Sequence, residues 1–320
     1  MTAWASALAA VLLTGTGALT GTPLFSFTDS DITESSGLVD TGDVVYTIND
    51  SGAGPVLYAV DPATGDTVAT TTYSDGDVSD VEALAPGPDG TVWVGDIGDN
   101  ARRRDSVTVY RVTPGQGDAP SYELTYPDGP RDAETLLVQP GTGRLFVVSK
   151  TIFGGVVYAA PRRLDPDRPN RLRRFADVPG LLTDGAFLPD GEHVLLRGYG
   201  QAWLLTFPDF GVLASFDLPE QKQGEGLSVG ADGRILLSSE GEGSTVLETT
   251  LPRPVQRRLE DPQGPAPTPE PSGSSDPRSG PVPGSEDFPV PTWAAAASVV
   301  AAAGFAWLVA LGVRSRRRRH

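Results

Sequence analysis

The stretch Pro88-Asp-Gly-Thr-Val-Trp-Val94 joins a tight-turn signal to an apolar strand, and four similar stretches occur along the chain. The turn glycines of the five copies are separated by 48, 53, 48 and 42 residues. A period of about 40 to 50 residues that holds several short strands is typical of β-propeller blades. The other copies are Asp40-Thr-Gly-Asp-Val-Val-Tyr46, Gly141-Thr-Gly-Arg-Leu-Phe-Val147, Pro189-Asp-Gly-Glu-His-Val-Leu195 and Ala231-Asp-Gly-Arg-Ile-Leu-Leu237.

Each repeat divides into four strands, A to D in chain order, and the glycine turn joins A to B. The fifth repeat lacks a D strand of its own, and Leu24–Thr28 near the N-terminus matches the missing strand. Placing that strand in the last blade closes the ring and removes the open sheet edges. The sequence therefore predicts an all-β fold, a five-bladed β-propeller over residues 23–260 closed by an N-terminal strand. A β-sandwich, the alternative, leaves the period unexplained.

Two apolar segments flank the predicted propeller. Ala5–Leu13 followed by small residues is typical of a secretory signal peptide, predicted here over residues 1–22, although no basic residue precedes Arg102. Trp293–Val313 is 21 residues long without a charge, and five arginines follow it directly. Such a segment predicts a single transmembrane helix over residues 292–313 with a basic cytoplasmic tail, residues 314–320.

Residues 261–291 connect the predicted propeller to the predicted membrane helix. Nineteen of these 31 residues are Pro, Gly or Ser, a composition that cannot bury enough apolar surface to fold. Pro-rich segments of this kind act as extended spacers. We therefore expect a single-pass protein of the cell membrane, with an extracellular propeller at a bacterial cell surface and a cytoplasmic C-terminus.

Composition excludes several kinds of site. The chain of 320 residues has a formal net charge of −16, two His and no Cys. It therefore has no thiol nucleophile, no thiolate metal site and no His-rich metal site. Because nucleic-acid binding needs a basic face, we expect no nucleic-acid partner. We expect a monomer that binds an unknown protein or small molecule.

Acidic residues recur at an equivalent place in the blades, two positions before the first apolar residue of each A strand. In a propeller this position lies near the mouth of the central channel, on the face that carries the D–A and B–C loops. Glu34 and Glu240 fall on the same face. The predicted acidic ring consists of Glu34, Glu82, Glu134, Asp184, Glu225 and Glu240, with Ser36 at the equivalent position of the first blade.

Two interpretations of the acidic ring stay open. Crowded carboxylates can bind a hard cation, and Ca²⁺ is the possible cofactor because it takes six to eight oxygen ligands. The candidate metal ligands are Asp96, Asp99, Asn100, Glu82 and Glu134. Alternatively, each acid bonds a backbone amide of the next blade and has a structural role. Lys150 and Arg197, at B-strand ends, are expected to form ion pairs with Glu134 and Asp184, or else to hold an anionic ligand group.

Several segments resemble a group of uncharacterised bacterial secreted or membrane-anchored β-propellers. They are Glu34-Ser-Ser-Gly-Leu38, Asn49-Asp-Ser-Gly52, Gly95-Asp-Ile-Gly-Asp-Asn100, Tyr126-Pro-Asp-Gly-Pro130 and Asp132-Ala-Glu134. More distantly, the repeats are similar to YVTN/gluconolactonase-like and esterase-like phytase propellers. The gluconolactonase-like resemblance implies a channel metal, for which Glu82, Asn100 and Asp184 are the nearest residue types. The phytase-like resemblance implies several Ca²⁺ ions and basic phosphate ligands, a role open to Lys150 and Arg197.

These observations favour a membrane-anchored binding or scaffolding module whose acidic face is the contact surface. The alternative is a Ca²⁺-dependent hydrolase of the lactonase, esterase or phytase kind that uses the acidic ring as ligands or acid–base groups. Shared side-chain roles in every blade would favour the module, whereas one displaced metal site beside a pocket would favour the enzyme.

Overall fold

The computed structural model describes residues 17–50 and 52–261, which form 22 strands and one short α-helix. The strands are numbered along the chain, and the first two, β1 (Gly17–Ala18) and β2 (Thr22–Ser26), join the last two blades. Blade 1 contains β3 (Ser35–Asp40), β4 (Val45–Asn49), β5 (Val56–Val60) and β6 (Thr67–Thr72). Blade 2 contains β7 (Val81–Pro86), β8 (Val92–Asp96), β9 (Val107–Val112) and β10 (Ser121–Thr125).

The remaining three blades repeat the antiparallel order. Blade 3 contains β11 (Ala133–Val138), β12 (Leu145–Ser149) and β13 (Gly155–Ala159); after β14 (Asn170–Arg171), which pairs with blade 2, β15 (Arg173–Val178) completes it. Blade 4 contains β16 (Leu182–Phe187), β17 (His193–Gly198), β18 (Gln201–Thr206) and β19 (Val212–Asp217). Blade 5 contains β20 (Gly224–Val229), β21 (Ile235–Ser239) and β22 (Thr245–Thr249), with β2 at its outer edge, and α1 (Arg253–Glu260) follows.

The ring closes as the sequence predicts. β2 pairs antiparallel with β22, so an N-terminal strand is the outermost strand of the last blade. The innermost strands contact one another in the order β3, β7, β11, β16, β20 and back to β3. The all-β, five-bladed β-propeller is therefore confirmed.

The five A–B turns explain why the repeat carries a glycine. At these glycines φ lies between +65° and +91°, a region that residues with a Cβ rarely adopt. The glycines thus permit the sharp reversal that lets each B strand pair with its A strand. The five positions are Gly42, Gly90, Gly143, Gly191 and Gly233.

Five apolar clusters hold the ring together, one at each interface between neighbouring blades. Alternate residues of a strand face opposite sides of its sheet, so every blade can bury both faces against its two neighbours. At the interface of blades 3 and 4, Phe146 packs on Phe187 and Phe207 at centroid distances of 6.1 and 5.6 Å. Removing such a buried ring costs about 3–5 kcal/mol.

The propeller begins before residue 23. β1 pairs in parallel with β19, and Leu19 is buried in the cluster between blades 4 and 5, so residues 17–22 belong to the described body. The remaining predicted signal-peptide residues, 1–16, lie outside the described part of the chain, as do residues 262–291 of the linker, the predicted membrane helix 292–313 and the tail 314–320. Within residues 17–50 and 52–261, no helix has the length and apolar character needed to span a membrane.

Candidate functional site

The strand order places the chemistry-bearing loops on one face of the ring. In each antiparallel blade the B–C and D–A connections share one end of the strands, here called the upper face. The A–B turns and C–D connections share the other end, here called the lower face. The predicted acidic ring falls on the upper face. His193 follows an A–B turn on the lower face, where its Nδ1 lies 2.7 Å from Oδ2 of Asp190.

Irregular pairing at the start of the inner strands directs side chains toward the channel. In β3, β7 and β11 the register with the neighbouring strand shifts at Ser36, Glu82 and Glu134, which are the bulged residues. A β-bulge leaves one residue out of the ladder and changes the direction of its side chain. The bulges therefore place the carboxylates of blades 2 and 3 at the channel mouth.

Apolar side chains close the channel beneath these carboxylates. They lie two positions after Ser36, Glu82, Glu134, Asp184 and Glu225, and with neighbouring residues of the inner strands they line a cavity of about 40 Å³. This channel floor consists of Leu38, Leu84, Leu136, Ala186 and Leu227. Carboxylates that lie against such a floor lose part of their hydration, which disfavours their charged form.

The carboxylates at the mouth influence one another strongly. The pKa of Glu82 rises to about 10, first because the side chain is buried and then because Glu134 and Asp50 add negative charge. The pKa of Asp80 rises to about 6 because of burial and the charge of Asp50. Burial is also the main cause that raises the pKa of Glu225 to about 7. We call Asp50, Asp80, Glu82, Glu134 and Glu225 the acidic mouth.

Lys150 is a positively charged residue beside the acidic mouth. It forms an ion pair with Oε1 of Glu134, and its Nζ donates to the hydroxyl of Tyr199 at 3.0 Å. This confirms the predicted ion pair of blade 3. The pKa of Glu134 nevertheless rises to about 8, because burial raises it more than Lys150 lowers it. Oε2 of Glu134 is buried and has no hydrogen-bond partner within the described residues.

The second predicted ion pair, in blade 4, is wrong. Asp184 does not pair with Arg197, since its carboxylate accepts from the amides of Gly185 at 2.8 Å and Leu227 at 2.6 Å. Arg197 is fully buried and donates to the carbonyls of Gly226 and Ser238 at 2.9 and 3.2 Å. Both side chains therefore bridge blade 4 to the backbone of blade 5. Asp184 has the structural role that the sequence analysis left open.

Ser36 also links neighbouring blades, because its Oγ donates to the carbonyl of Glu82 at 3.3 Å and lies 3.2 Å from Glu82 Oε2. The ring positions thus divide into two kinds. Ser36 and Asp184 bond the backbone of the next blade, whereas Glu82, Glu134 and Glu225 face the mouth. The predicted alignment of blade 4 is wrong by one residue, because the bulge of that blade falls at Thr183 and not at Asp184.

The predicted ligands of the Gly95–Asn100 loop border the acidic mouth, but their carboxylates bond protein groups. Asp96 accepts from the amides of Ser79 and Asp80 at 3.1 and 3.0 Å and pairs with Arg104 at 2.7 Å. Asp99 accepts from the amides of Arg103 and Arg104, and Asn100 is exposed. These contacts brace the loops of blade 2, and they occupy the two carboxylates that the sequence analysis assigned to a metal.

Sequence reasoning did not identify Asp80 as a residue of the mouth. Asp96 holds the amide of Asp80 just as Asn49, at the same place in blade 1, holds the amide of Glu34 at 3.1 Å. Asp80 is therefore the blade 2 counterpart of Glu34, and aligning the two loops on Asn49 and Asp96 would have found it. Glu34 itself is exposed at the edge of the mouth.

Glu240 lies at the edge of the acidic mouth in blade 5. Its Oε2 accepts from Nε2 of Gln223 at 2.6 Å. Its pKa is raised by burial and by the negative charges of Asp50 and Glu34. The predicted ring residues Glu34 and Glu240 thus add to the negative potential of the mouth from its edge.

Three carboxylates of the mouth have the spacing of metal ligands. Asp50, Asp80 and Glu82 each offer one oxygen, and these oxygens lie within 4.8 Å of one another. Ligands on opposite sides of a Ca²⁺ ion lie about 4.8 Å apart, since each Ca–O distance is about 2.4 Å. Among the described residues, neither Asp80 nor Glu82 forms an ion pair. This group could hold a divalent cation.

An exposed apolar rim borders the mouth on the side of blades 3 and 4. Phe153 is 100% exposed and Ile152 69%, at the tip of the loop that follows Lys150. Leu181, which is also exposed, lies beside that loop because its amide donates to the carbonyl of Thr151 at 2.8 Å. Tyr199 completes the rim. Exposed apolar groups next to a charged mouth are typical of a ligand-binding surface.

Two solved structures show what the chain resembles. No protein-family model and no curated protein matches it. A gluconolactonase of Xanthomonas campestris is 15% identical with a TM-score of 0.43, over 67% of this chain and 70% of that chain. Glutaminyl cyclase of Myxococcus xanthus is 11% identical with a TM-score of 0.48, over 74% and 100% of the two chains. The predicted distant similarity to gluconolactonase-like propellers is confirmed, and it concerns the fold alone.

Proposed function

We propose that the protein is an extracytoplasmic, membrane-anchored binding module whose acidic mouth binds a divalent cation, Ca²⁺, between Asp50, Asp80 and Glu82. The observation that carries this proposal is the 4.8 Å spacing of the three carboxylate oxygens. Carboxylates this close repel one another, and a divalent cation removes that repulsion. Membrane anchoring, like export, rests on the sequence of the two chain ends.

The charge balance at the mouth supports a cation as the ligand. Glu82 and Asp80 have raised pKa values, which shows that the site disfavours their negative charges when no cation is present. Lys150 is already paired with Glu134, on the side of blade 3. Ca²⁺ bound by Asp80 and Glu82 would complete its shell of oxygen ligands with water or with a group of the ligand.

The rim supports a role in binding. Phe153, Ile152 and Leu181 form a cluster of exposed apolar side chains, and covering such a cluster is favourable because it removes apolar surface from water. A ligand or partner that covers the rim would lie directly beside the acidic mouth. The Ca²⁺ ion and the rim would then form two halves of one binding surface.

Calorimetric titration of the full-length protein with Ca²⁺ after chelator treatment tests this proposal. At pH 8 we expect a saturable binding heat and a rise in melting temperature, both abolished in the Asp80→Asn, Glu82→Gln double variant. The Asp75→Asn, Asp77→Asn double variant is the matched control, since it removes two charges at exposed residues of the loop that carries Asp80. Equal binding by the parent and the double variant would contradict the proposal.

One observation favours a second function, Ca²⁺-dependent hydrolysis of an ester or lactone. Glu134, with a pKa of about 8 and one unpartnered buried oxygen, could transfer protons near neutral pH as a general acid or base. Lys150 and the hydroxyl of Tyr199 lie next to it. A cation at the mouth would supply the positive charge that stabilises a developing oxyanion.

Hydrolysis is tested with a panel of lactones and esters in the presence of Ca²⁺. An enzyme of this kind would lose at least about 100-fold in kcat in Glu134→Gln, the size expected of a general acid–base group. The Glu134→Asp variant would retain part of the activity, with a shifted pH profile. The same residual rate in the parent and in Glu134→Gln would exclude the hydrolase and leave the binding module.

A further inference from the structure

A basic segment stands out on the lower face of this acidic protein. The connection from β13 to β15 in blade 3, together with the first two residues of β15, spans residues 160–174 and carries six arginines and two aspartates. It is a C–D connection, so it lies at the opposite end of the strands from the acidic mouth. The arginines are Arg162, Arg163, Arg168, Arg171, Arg173 and Arg174.

Three of these arginines converge with a fourth, Arg144, which follows the A–B turn of blade 3. They line a cavity of about 380 Å³ together with Ala160 and Pro161. We call Arg144, Arg162, Arg171 and Arg173 the arginine pocket. None of the four forms an ion pair within the described residues.

The arginine pocket is held in shape by its surroundings. Arg144 donates from Nε to the carbonyl of Ala160 at 3.2 Å, and its guanidinium lies over the rings of Phe146 and Phe175 at 5.2 and 5.7 Å. Stacking on two rings fixes the plane of the guanidinium group. Arg144 thus presents its remaining N–H groups in a defined direction.

Asn170 organises the loop that carries the other arginines. This buried residue donates from Nδ2 to the carbonyls of Glu123 and Asp165 at 3.1 and 2.9 Å, and its Oδ1 accepts from the amide of Asp165. β14 then pairs in parallel with β10 of blade 2, which anchors Arg171. A site on a loop fixed in this way is preorganised before any ligand arrives.

The positive charges of the pocket are not compensated by the nearby acids. Asp165 accepts the amide of Asp167, and Asp177 pairs with Arg174 outside the pocket. The pKa of Arg144 is lowered by burial and then by the positive charges of Arg162 and Arg173. An anion bound in the pocket would relieve this repulsion.

We propose that the arginine pocket binds a phosphate group. Phosphate offers several oxygens around one centre and up to two negative charges, which match several converging guanidinium forks better than a carboxylate does. The group could be free phosphate or pyrophosphate, or the phosphodiester headgroup of a membrane lipid. The proposal is independent of the acidic mouth, which lies on the upper face.

Isothermal titration calorimetry of the full-length protein, in buffer free of phosphate and sulfate, tests this site. The probes are inorganic phosphate, pyrophosphate and glycerophosphoglycerol, the soluble headgroup of phosphatidylglycerol. We expect at least one probe to bind, and the Arg162→Gln, Arg173→Gln double variant to bind it at least about tenfold more weakly. Binding of phosphate or pyrophosphate alone assigns a free ligand, and tighter binding of glycerophosphoglycerol assigns a lipid headgroup.

The matched control is the Arg163→Gln, Arg168→Gln double variant. It removes the same charge from the same loop, but neither residue lines the pocket. The control should bind the probe within about twofold of the parent. No binding of any probe would overturn the proposal. An equal loss of affinity in both double variants would also overturn it, because it would show only a general attraction of the anion to positive charge. If the first double variant fails to fold by circular dichroism, Arg171→Gln alone takes its place.

Discussion

Blades 3 and 4 each carry an acid and a base that the sequence alignment matches, and the structure uses the two pairs in opposite ways. In blade 3, Glu134 and Lys150 meet as an ion pair at the channel mouth. In blade 4, Asp184 and Arg197 do not pair, and both form hydrogen bonds with the backbone of blade 5. The inner strand of blade 4 is bulged at Thr183, so Asp184 lies one ladder position beyond that of Glu134. The local register thus decides whether a carboxylate faces the mouth or bonds the backbone of the next blade.

Arg197 and Lys150 also differ in how far they are buried. Arg197 is fully buried, whereas the side chain of Lys150 keeps 18% of its surface exposed. The N–H groups of a buried guanidinium that donates to several carbonyls are occupied by the protein and are not available to a ligand. Lys150 instead sits beside Tyr199 and the exposed rim, where a ligand can reach it.

The largest effect that separates the two blades should come from removing the bases. Arg197→Met leaves the carbonyls of Gly226 and Ser238 buried without their donor and should lower the free energy of unfolding by about 3 kcal/mol or more. Lys150→Met should cost about 1 kcal/mol or less, because Lys150 is partly exposed and the buried Glu134, with a pKa of about 8, then holds a proton in place of its charge. Urea unfolding in chelator measures both. Equal losses would show that the two bases have the same role.

A smaller contrast is expected from the acids. Asp184→Asn places an amide group against the amides of Gly185 and Leu227 and should cost about 2 kcal/mol. Glu134→Gln, in chelator, should change stability by less than about 1 kcal/mol, since the lost ion pair is offset by the removal of a buried charge. Thermal melts at pH 7 compare them. A greater loss for Glu134→Gln would reverse the assignment of structural and ligand-binding roles.

The pH dependence of stability is the third effect and is specific to the mouth. The pKa values of Glu82 and Glu134, about 10 and about 8, lie above their ordinary value of 4.5, so the folded state holds protons that the unfolded state releases. Their contribution to stability is complete below pH 4.5 and is lost as the pH rises through 8 and 10. Each of these protons costs about 1.4 kcal/mol of stability per pH unit, so without Ca²⁺ the protein should lose several kcal/mol between pH 5 and pH 8.

The control for this pH effect is the Glu82→Gln, Glu134→Gln double variant, which should show a flatter profile over the same range. Saturating Ca²⁺ should flatten the profile of the parent as well, because the bound ion favours the ionised carboxylates. A parent profile that rises from pH 5 to pH 8 in chelator would show that the carboxylates of the mouth ionise normally.

The sequence was sufficient for the fold because the fold depends on a period. Each blade has one A–B turn with a positive φ that a residue without a Cβ adopts easily, so the number of turn glycines gives the number of blades. These glycines are Gly42, Gly90, Gly143, Gly191 and Gly233. The N-terminal strand of blade 5 was predicted at Leu24–Thr28 and lies at Thr22–Ser26, a shift of two residues. Alternation of apolar residues identifies a strand better than it identifies its ends.

The site was less predictable because it depends on local register. The bulges at Glu82 and Glu134 re-aim these side chains, and no alternation in the sequence reveals a bulge. The Gly95–Asn100 loop looked like a metal loop, yet Asp96 and Asp99 bond backbone amides. A carboxylate bonds an amide or a metal ion with the same oxygens, so residue type alone could not separate the two.

A crystal structure of the full-length protein grown at pH 8 with Ca²⁺ tests the central claim most directly, because it shows whether the acidic mouth holds an ion. We predict one Ca²⁺ ion at about 2.3–2.6 Å from oxygens of Asp80 and Glu82, within reach of Asp50, and none between Asp96 and Asp99. An ion bound at Asp96 and Asp99, or a mouth in which Glu82 contacts only Ser36 at saturating Ca²⁺, would contradict the account.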